Sequence, residues 1–352
     1  MRQQTQSREA REAKLEAIHD QLTKSVAALV SGDDWRRALE FAARFRSRSF
    51  NNTMLIYVQH YAAHEAGRVP GPTPTYVAGF KQWLSLNRQV MKGQSGYAIL
   101  APVTGRFASS TPQNSGSWRR LGLGEKPKWG EVVRSRLVGV RPAHVWDISQ
   151  TDGDPIPERP MPTVLQGMAP EGLWDELAAQ VEARGFTLRQ VPDAAAIGGA
   201  NGITDYPTRE VSVRSDMDAA AQVKTLAHEL GHVMLHGPDN EDAAMHRGMA
   251  EVEAESVALM IGAAHDLDTA SYTIPYVTSW ASSVPGKTPV EVVQATAERV
   301  RRTAVSILDQ LETPQVGDGD PPGLDRQALA TKREAAKVEV PARTEPSAVV
   351  GL

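Results

Sequence analysis

Apolar residues recur at spacings of three and four over residues 8–31, where Leu15, Ile18, Leu22, Val26 and Leu29 share one face of an amphipathic helix. A second helical run, WRRALEFAARFRSRSFNNTMLIYVQHYAAH, covers about residues 35–64, and GRVPGPTP breaks it with glycine and proline. YVAGFKQWLSLN predicts a short helix, and RQVMKGQSGYAILAPV predicts two strands around Lys92-Gly93 and Gly96. ASSTPQNSGSW carries no apolar period and reads as a flexible polar loop, after which VVRSRLVGVRPAHVWDIS resumes a strand pattern. QTDGDPIPERPMP holds four prolines in thirteen residues and reads as a linker.

A new pattern begins near residue 167. PEGLWDELAAQVEARG predicts a helix stopped by Gly185, and FTLRQV, ANGITDY and REVSVRS predict short strands of an antiparallel sheet. A helix containing TLAHELGHVMLHG follows an acidic turn at Asp216 and Asp218, which suits the helix dipole. AEVEAESVALMIGAAH predicts another helix, and a last long one runs from about Pro289 to Leu311. From Thr313 the chain is rich in Pro, Gly, Ala and charge, and disorder is expected. The pattern gives an α+β fold of two domains, residues 1–150 and 167–312, joined by a linker at 151–166 and followed by a tail at 313–352.

Composition changes this picture in two ways. With 352 residues, 41% hydrophobic and 23% charged, the chain is long enough for two cores, and it contains no cysteine. Disulfides and thiolate metal sites are therefore excluded, which leaves any metal to histidine and carboxylate. There is no run of 18 apolar residues and no apolar stretch behind the charged N-terminus, so neither a membrane span nor a signal peptide is expected and a cytoplasmic location is. Charge is divided unevenly: the first 150 residues hold 22 Lys and Arg against 11 Asp and Glu, and the remainder is net acidic. Fourteen of the 20 aromatic residues lie in the same basic half. The two halves are expected to meet different partners.

The chemistry concentrates in TLAHELGHVMLHG. On a helix turning about 100° per residue, His228 and His232 fall on one face and both reach a single ion. Glu229, directly after the first histidine, is placed to take a proton from water and pass it to a leaving amine. The alternative is a chance motif, so a third ligand matters. Glu251, Glu253 and Glu255 lie some twenty residues on. Glu251 is the expected ligand and Glu255, one turn later, the expected hydrogen-bond partner of a ligating histidine, with Glu253 solvated. His236, just before Gly237 and Pro238, fits either a supporting role at the metal or an ordinary helix end. His246 and His265 read as surface histidines. Tyr272 and Tyr276 fit an oxyanion donor or plain core packing equally well. Zinc is the expected ion, with another divalent metal such as Mn2+ as the alternative.

In the basic half, RFRSRSFNN sets Arg44, Arg46 and Arg48 beside Asn51 and Asn52, and FKQW, NRQVMKG and GSWRR place further cations next to aromatic residues. Cations that follow phosphates and rings that stack on unpaired bases suit single-stranded DNA. Lys81, Trp83, Arg88 and Lys92 join the candidate contacts. The competing reading makes the aromatics core and the arginines a solvated face.

HELGHVMLH followed by EVEAESVA resembles the zincin-like metallopeptidases of the ImmA/IrrE kind, over roughly residues 167–285. That resemblance implies a zincin-like domain with a small antiparallel sheet, and a third metal ligand at Glu251. FNNTMLIYVQ, VAGFKQWLSLNRQVMKGQSGYAILAPV and VWDISQTDGDPIP resemble the N-terminal single-stranded-DNA-binding domain of ArdC-like antirestriction proteins, which join such a domain to a zincin-like one in this order. The resemblance implies a bacterial protein of a plasmid, phage or other mobile element that protects incoming DNA from restriction. The implied partners are single-stranded DNA and an unidentified protein or peptide substrate. A non-catalytic DNA-binding protein with a structural metal, and a DNA-responsive peptidase that cleaves a repressor, remain the alternatives.

Overall fold

The computed structural model describes residues 2–156, 167–237, 247–270, 272, 277–282 and 284–324. Two compact units emerge. Among the described residues, the larger combines 2–99 with 144–322, and the smaller holds 100–143 together with 323 and 324.

The larger unit begins with three helices, α1 (Arg2–Ala27), α2 (Gly32–Arg44) and α3 (Phe50–Glu65). Ile18, Leu22 and Val26 of α1 are buried, as their spacing predicts. The single helix expected over 35–64 is interrupted. Phe45 ends α2, and Ser49, extended at ψ 154°, starts α3 by accepting the backbone N–H of Asn52 at 3.4 Å. Between them Arg46 donates to the carbonyls of Val316 and Gly317 at 2.9 and 3.1 Å, so the break is held by side chain rather than by helix bonds.

The apolar face of α2 has a distant partner. Trp35 is fully buried, meets Trp280 edge-on at 5.3 Å, and donates its indole N–H to Ser256 Oγ at 2.9 Å. A buried donor without an acceptor costs about 1–3 kcal/mol, so this bond fixes α2 against the later helix that carries Ser256. Basic and acidic segments thus share one core, and the compact units do not follow the limits expected at 150 and 167. Residues 151–153, expected in a linker, form β6 (Thr151–Gly153), antiparallel to β2 (Arg88–Val90). The strand at 88–90 therefore does not turn back on the next strand around Lys92-Gly93. Residues 313–322, expected in a disordered tail, are packed: Val316, Thr313 and Asp320 are buried. Residues 157–166 and 325–352 lie outside the described residues.

β1 (Val77–Ala78) and α4 (Phe80–Ser85) complete the first segment, and β1 pairs with the end of β5 (Val132–Asp147). α5 (Leu173–Glu182) leads into β7 (Thr187–Val191), β8 (Gly202–Asp205) and β9 (Glu210–Arg214), in the order β7-β9-β8. The β8–β9 pair is antiparallel, but β7 and β9 run parallel, because the β8–β9 hairpin returns the chain to the direction of β7. Against this sheet lies α6 (Ala219–Leu235), capped by Asp218, which accepts the N–H of Ala221 at 2.8 Å. α7 (Arg247–Ala264), α8 (Val277–Ala281) and α9 (Pro289–Leu308) follow. Gly231 lets α6 and α7 approach closely, since a Cβ there would sit 3.2 Å from the Ala254 Cα.

The smaller unit contains most of β3 (Tyr97–Ser109) and β5, with β4 (Arg119–Arg120) paired to β3 through Phe107–Arg120 and Ala108–Arg119. The stretch expected as a flexible loop contains a short hydrogen-bonded turn at Ser115–Ser117, where Ser109 and Ser117 hydroxyls meet at 2.6 Å.

Candidate metal centre

His228 and His232 stand one turn apart on α6, and Glu251 faces them from α7. Their imidazole Nε2 atoms are 3.1 Å apart, and Glu251 Oε2 lies 3.5 Å from the first and 3.6 Å from the second. The three form a group of ligand atoms within 4.8 Å of one another. Two ring nitrogens and a carboxylate converging this closely suit a divalent cation. Without one, burial opposes a proton on His228, but the carboxylates of Glu251 and Glu255 override it and lift its pKa to about 9. Hydrogen bonds from His228 and His232 hold the Glu251 carboxyl far below the ordinary carboxylate range.

The side chains behind the ligands are ordered. His228 Nδ1 meets Glu255 Oε2 at 3.1 Å, and a carboxylate can only accept there. Nδ1 is the donor to Glu255, and Nε2 faces Glu251. Lys224 Nζ pairs with the other side of Glu255 at 3.1 Å and lies 4.0 Å over the Tyr272 ring. Desolvation raises the Glu255 pKa, but His228 and Lys224 bring it below the usual range. Tyr272 is core: its hydroxyl donates to the Ala258 carbonyl at 3.2 Å.

Glu229 is buried beside the ligands. Its Oε2 accepts the Thr204 hydroxyl of β8 at 2.7 Å, which leaves Oε1 unclaimed by that bond. Gly202 clears the space around Oε1, because a Cβ at that position would come within 2.8 Å of it. Burial pushes the Glu229 pKa up, as suits a base that must exchange a proton. Tyr206, which no motif singled out, donates to the His232 carbonyl at 2.8 Å. Burial raises its pKa to about 12.

Two expectations need correction. Glu253 is buried rather than solvated, between His236 and Arg299. His265 is also buried, its Nδ1 donating to the Ile261 carbonyl at 2.8 Å and its Nε2 meeting Thr313 Oγ1 at 3.1 Å. His246 and Tyr276 lie outside the described residues.

The candidate DNA contacts separate into two groups. Trp83 is fully buried and donates to the Trp146 carbonyl at 3.0 Å, so no base can stack on it. Arg46 is spent on backbone carbonyls, and Arg48 on the Val77 carbonyl and on Asp320 at 3.0 Å. Arg88 holds the carbonyls of Thr151, Gly153 and Asp154, and Asn51 Oδ1 is buried. Asn52 is half-buried at the start of α3. These residues build the fold. Lys81 and Lys92 are exposed, and Arg44 is exposed beside Asp266 at 3.4 Å.

Residues 100–143 hold eight Lys and Arg against two Asp and Glu. Both acids are taken by one arginine: Arg119 pairs with Glu125 and, through two nitrogens, with Glu131 at 3.0 and 2.8 Å. The other seven cations are exposed and have no ion pair among the described residues. Arg134 and Arg136 lie over the Trp118 ring at 5.0 and 4.8 Å, while Trp129, between Lys128 and Glu131, is fully exposed.

Comparison with known proteins matches two regions of the chain. Residues 11–133 match the model for the N-terminal domain of anti-restriction factor ArdC, and residues 182–277 match a peptidase-family model described as the IrrE N-terminal-like domain. No curated protein matches. Among solved structures, the metal-free antirestriction ArdC protein from the R388 plasmid is similar at 19% identity and a TM-score of 0.44, over 75% of this chain and 84% of that one. Its Mn(II)-bound form matches at 19% identity and a TM-score of 0.41, over 75% and 88%. The chain thus joins, in order, a region similar to the N-terminal domain of anti-restriction factor ArdC and a region similar to the IrrE N-terminal-like peptidase domain.

Proposed function

We propose that this chain is a zinc-dependent peptidase that also binds single-stranded DNA, and that it acts in antirestriction on DNA entering a bacterial cytoplasm. The observation that carries the peptidase reading is the convergence of His228 Nε2, His232 Nε2 and Glu251 Oε2 beside a buried Glu229. Two histidines and one carboxylate leave a coordination position open, which is the donor set of a catalytic zinc rather than a structural one. A divalent ion held there supplies Lewis acidity toward water and toward a carbonyl oxygen. Glu229 takes the proton from the attacking water on its carboxylate and returns it to the departing amine, while Thr204 keeps the carboxylate in place.

A peptide substrate is supported by β8. It pairs only with β9 in its sheet, so its outer edge is unpaired among the described residues, next to the helix that carries the ligands. An extended peptide can add to such an edge with its carbonyls aligned. The DNA reading is supported by the smaller unit, where exposed cations track phosphates and Trp129 offers a stacking face.

Glu229→Gln tests the central step. Loss of peptide hydrolysis with unchanged zinc content and DNA affinity supports it, and unchanged hydrolysis overturns it. If neither protein hydrolyses any peptide in a proteome-derived library, the metal is structural and the antirestriction role is one of binding alone.

A further inference from the structure

We infer that Arg120, Arg134 and Arg136 of the smaller unit form one phosphodiester-binding face, and that Trp118 and Phe107 are the positioning residues that hold their guanidiniums ready. The inference rests on the DNA reading above and deepens it, assigning this face to the backbone of a single strand rather than to its bases. Strand geometry sets the face. Arg134 and Arg136 are two residues apart on β5 and so project to the same side of the sheet. The Arg136 guanidinium lies 5.6 Å from the centre of the Phe107 ring on β3. Phe107 has Arg120 of β4 as its direct cross-strand partner, which brings all three cations to one side. Gly105, two residues before Phe107, leaves the room they need, since a Cβ there would stand 3.3 Å from Arg120 Nε and 2.9 Å from Val138 Cγ1. Trp118 is half-buried, with the Arg134 and Arg136 guanidiniums 5.0 and 4.8 Å from its ring centre.

Three exposed cations gathered in this way repel one another, and Glu125 and Glu131, the acids of this segment, are both taken by Arg119. The attraction of a guanidinium for an aromatic face offsets part of that repulsion and orders long side chains that would otherwise sample many rotamers. What stays unmet is the N–H edge of each guanidinium, which can only donate. Phosphate oxygens only accept, and a planar guanidinium meets two of them at once. A base finds no such opening on this face, because Trp118 already carries two guanidiniums and Phe107 one. Trp129, fully exposed on the loop between β4 and β5, is a ring that a base can reach. β4 and β5 flank β3, so the backbones of Arg120 and Arg136 stand about 10 Å apart. That span suits successive phosphates of one strand better than a lone phosphate.

The test uses the intact chain and fluorescently labelled thymidine strands that are ordinary, abasic throughout, or joined by neutral methylphosphonate linkages. In a Trp129→Ala background, which removes base stacking, the abasic strand is expected to bind within about twofold of the ordinary one, and the methylphosphonate strand to lose binding. Trp118→Leu removes no charge, yet it is expected to weaken the ordinary strand roughly 5- to 30-fold, because two long side chains must then be ordered on binding. In the free protein, the Nε–H order parameters of Arg134 and Arg136, read by 15N relaxation, are expected to fall in Trp118→Leu and to recover in Trp118→Tyr. A merely structural role for Trp118 would leave them unmoved. Should Trp118→Leu fail to fold, replacing Arg134 and Arg136 together by Lys keeps the charge and removes the planar fork, and a similar loss of affinity is expected. Loss of abasic binding in the Trp129→Ala background overturns the inference and leaves the DNA reading standing, as does full affinity in Trp118→Leu or, where that variant does not fold, in the lysine variant. A wild type that binds no strand overturns both. Phosphatidylserine vesicles bound more tightly than the strand, through the same residues, would make the partner a lipid headgroup and overturn the assignment to DNA.

Discussion

Asp34 accepts the backbone N–H of Ser31 at 3.0 Å and its hydroxyl at 2.7 Å, and these bonds draw its pKa down to about 2. The folded value lies below the unfolded one, so its contribution is complete above about pH 4 and lost as the pH falls through about 2. Asp34→Ala is expected to cost about 1 kcal/mol at pH 7, typical of a lost helix cap, and much less near pH 2. Denaturant titrations of both proteins at the two pH values measure this; equal differences at both would contradict it. The same dependence on neighbours explains what could be read among Glu251, Glu253 and Glu255. Glu251 was expected as a ligand from the later glutamate-rich helix and its resemblance to the peptidase kind, and its carboxylate lies 3.5 Å from His228 Nε2. The place of Glu253 was not legible, because its burial depends on Arg299, 46 residues further along. Trp83 and Arg48 misled for the same reason: an aromatic or a cation in sequence says nothing of the carbonyl that will claim it.

The site depends on the distance between two helices. α6 holds both histidines and α7 the carboxylate, and Gly231 sets their separation. The new methyl of Gly231→Ala meets the Ala254 backbone, which has no rotamer to yield. The expected cost is about 1–3 kcal/mol of stability from overpacking, with zinc affinity reduced as Glu251 is pushed away. Calorimetry and a zinc titration read the two effects, and a stable variant with full affinity would show that the helices tolerate a wider spacing. The longer helices were legible from periodicity, but the five-residue α8 was not expected. The break between α2 and α3 was not, since 35–64 keeps an apolar period across it and only Ser49 and Arg46 end the ladder. The parallel β7–β9 pair was also hidden, because the strand patterns do not state which neighbours pair.

On the scale of the whole molecule, charge and core are divided differently. The basic residues counted over the first 150 include arginines that hold the larger unit together, while among the described residues the exposed cations without an ion pair concentrate in residues 100–143. Composition showed the excess, but not which cations remained free of carbonyls and acids. The proposal for DNA therefore places its contacts on the smaller unit. Substituting Arg134 and Arg136 by Ala is expected to reduce the salt dependence of single-strand binding by about one to two in slope. Trp129→Ala is expected to weaken it by about 1–3 kcal/mol without that change. Fluorescence anisotropy across a salt series separates the two, and intact binding in both variants would move the DNA to another surface. No described helix is long and apolar enough to cross a membrane. One divalent ion between α6 and α7 is central to the proposed chemistry. Equilibrium dialysis of the intact chain against zinc, with Glu251→Ala and His228→Ala beside it, measures it most directly: one equivalent bound tightly by the wild type and lost in both variants is the predicted result, and no saturable binding, or binding that survives both substitutions, would contradict it.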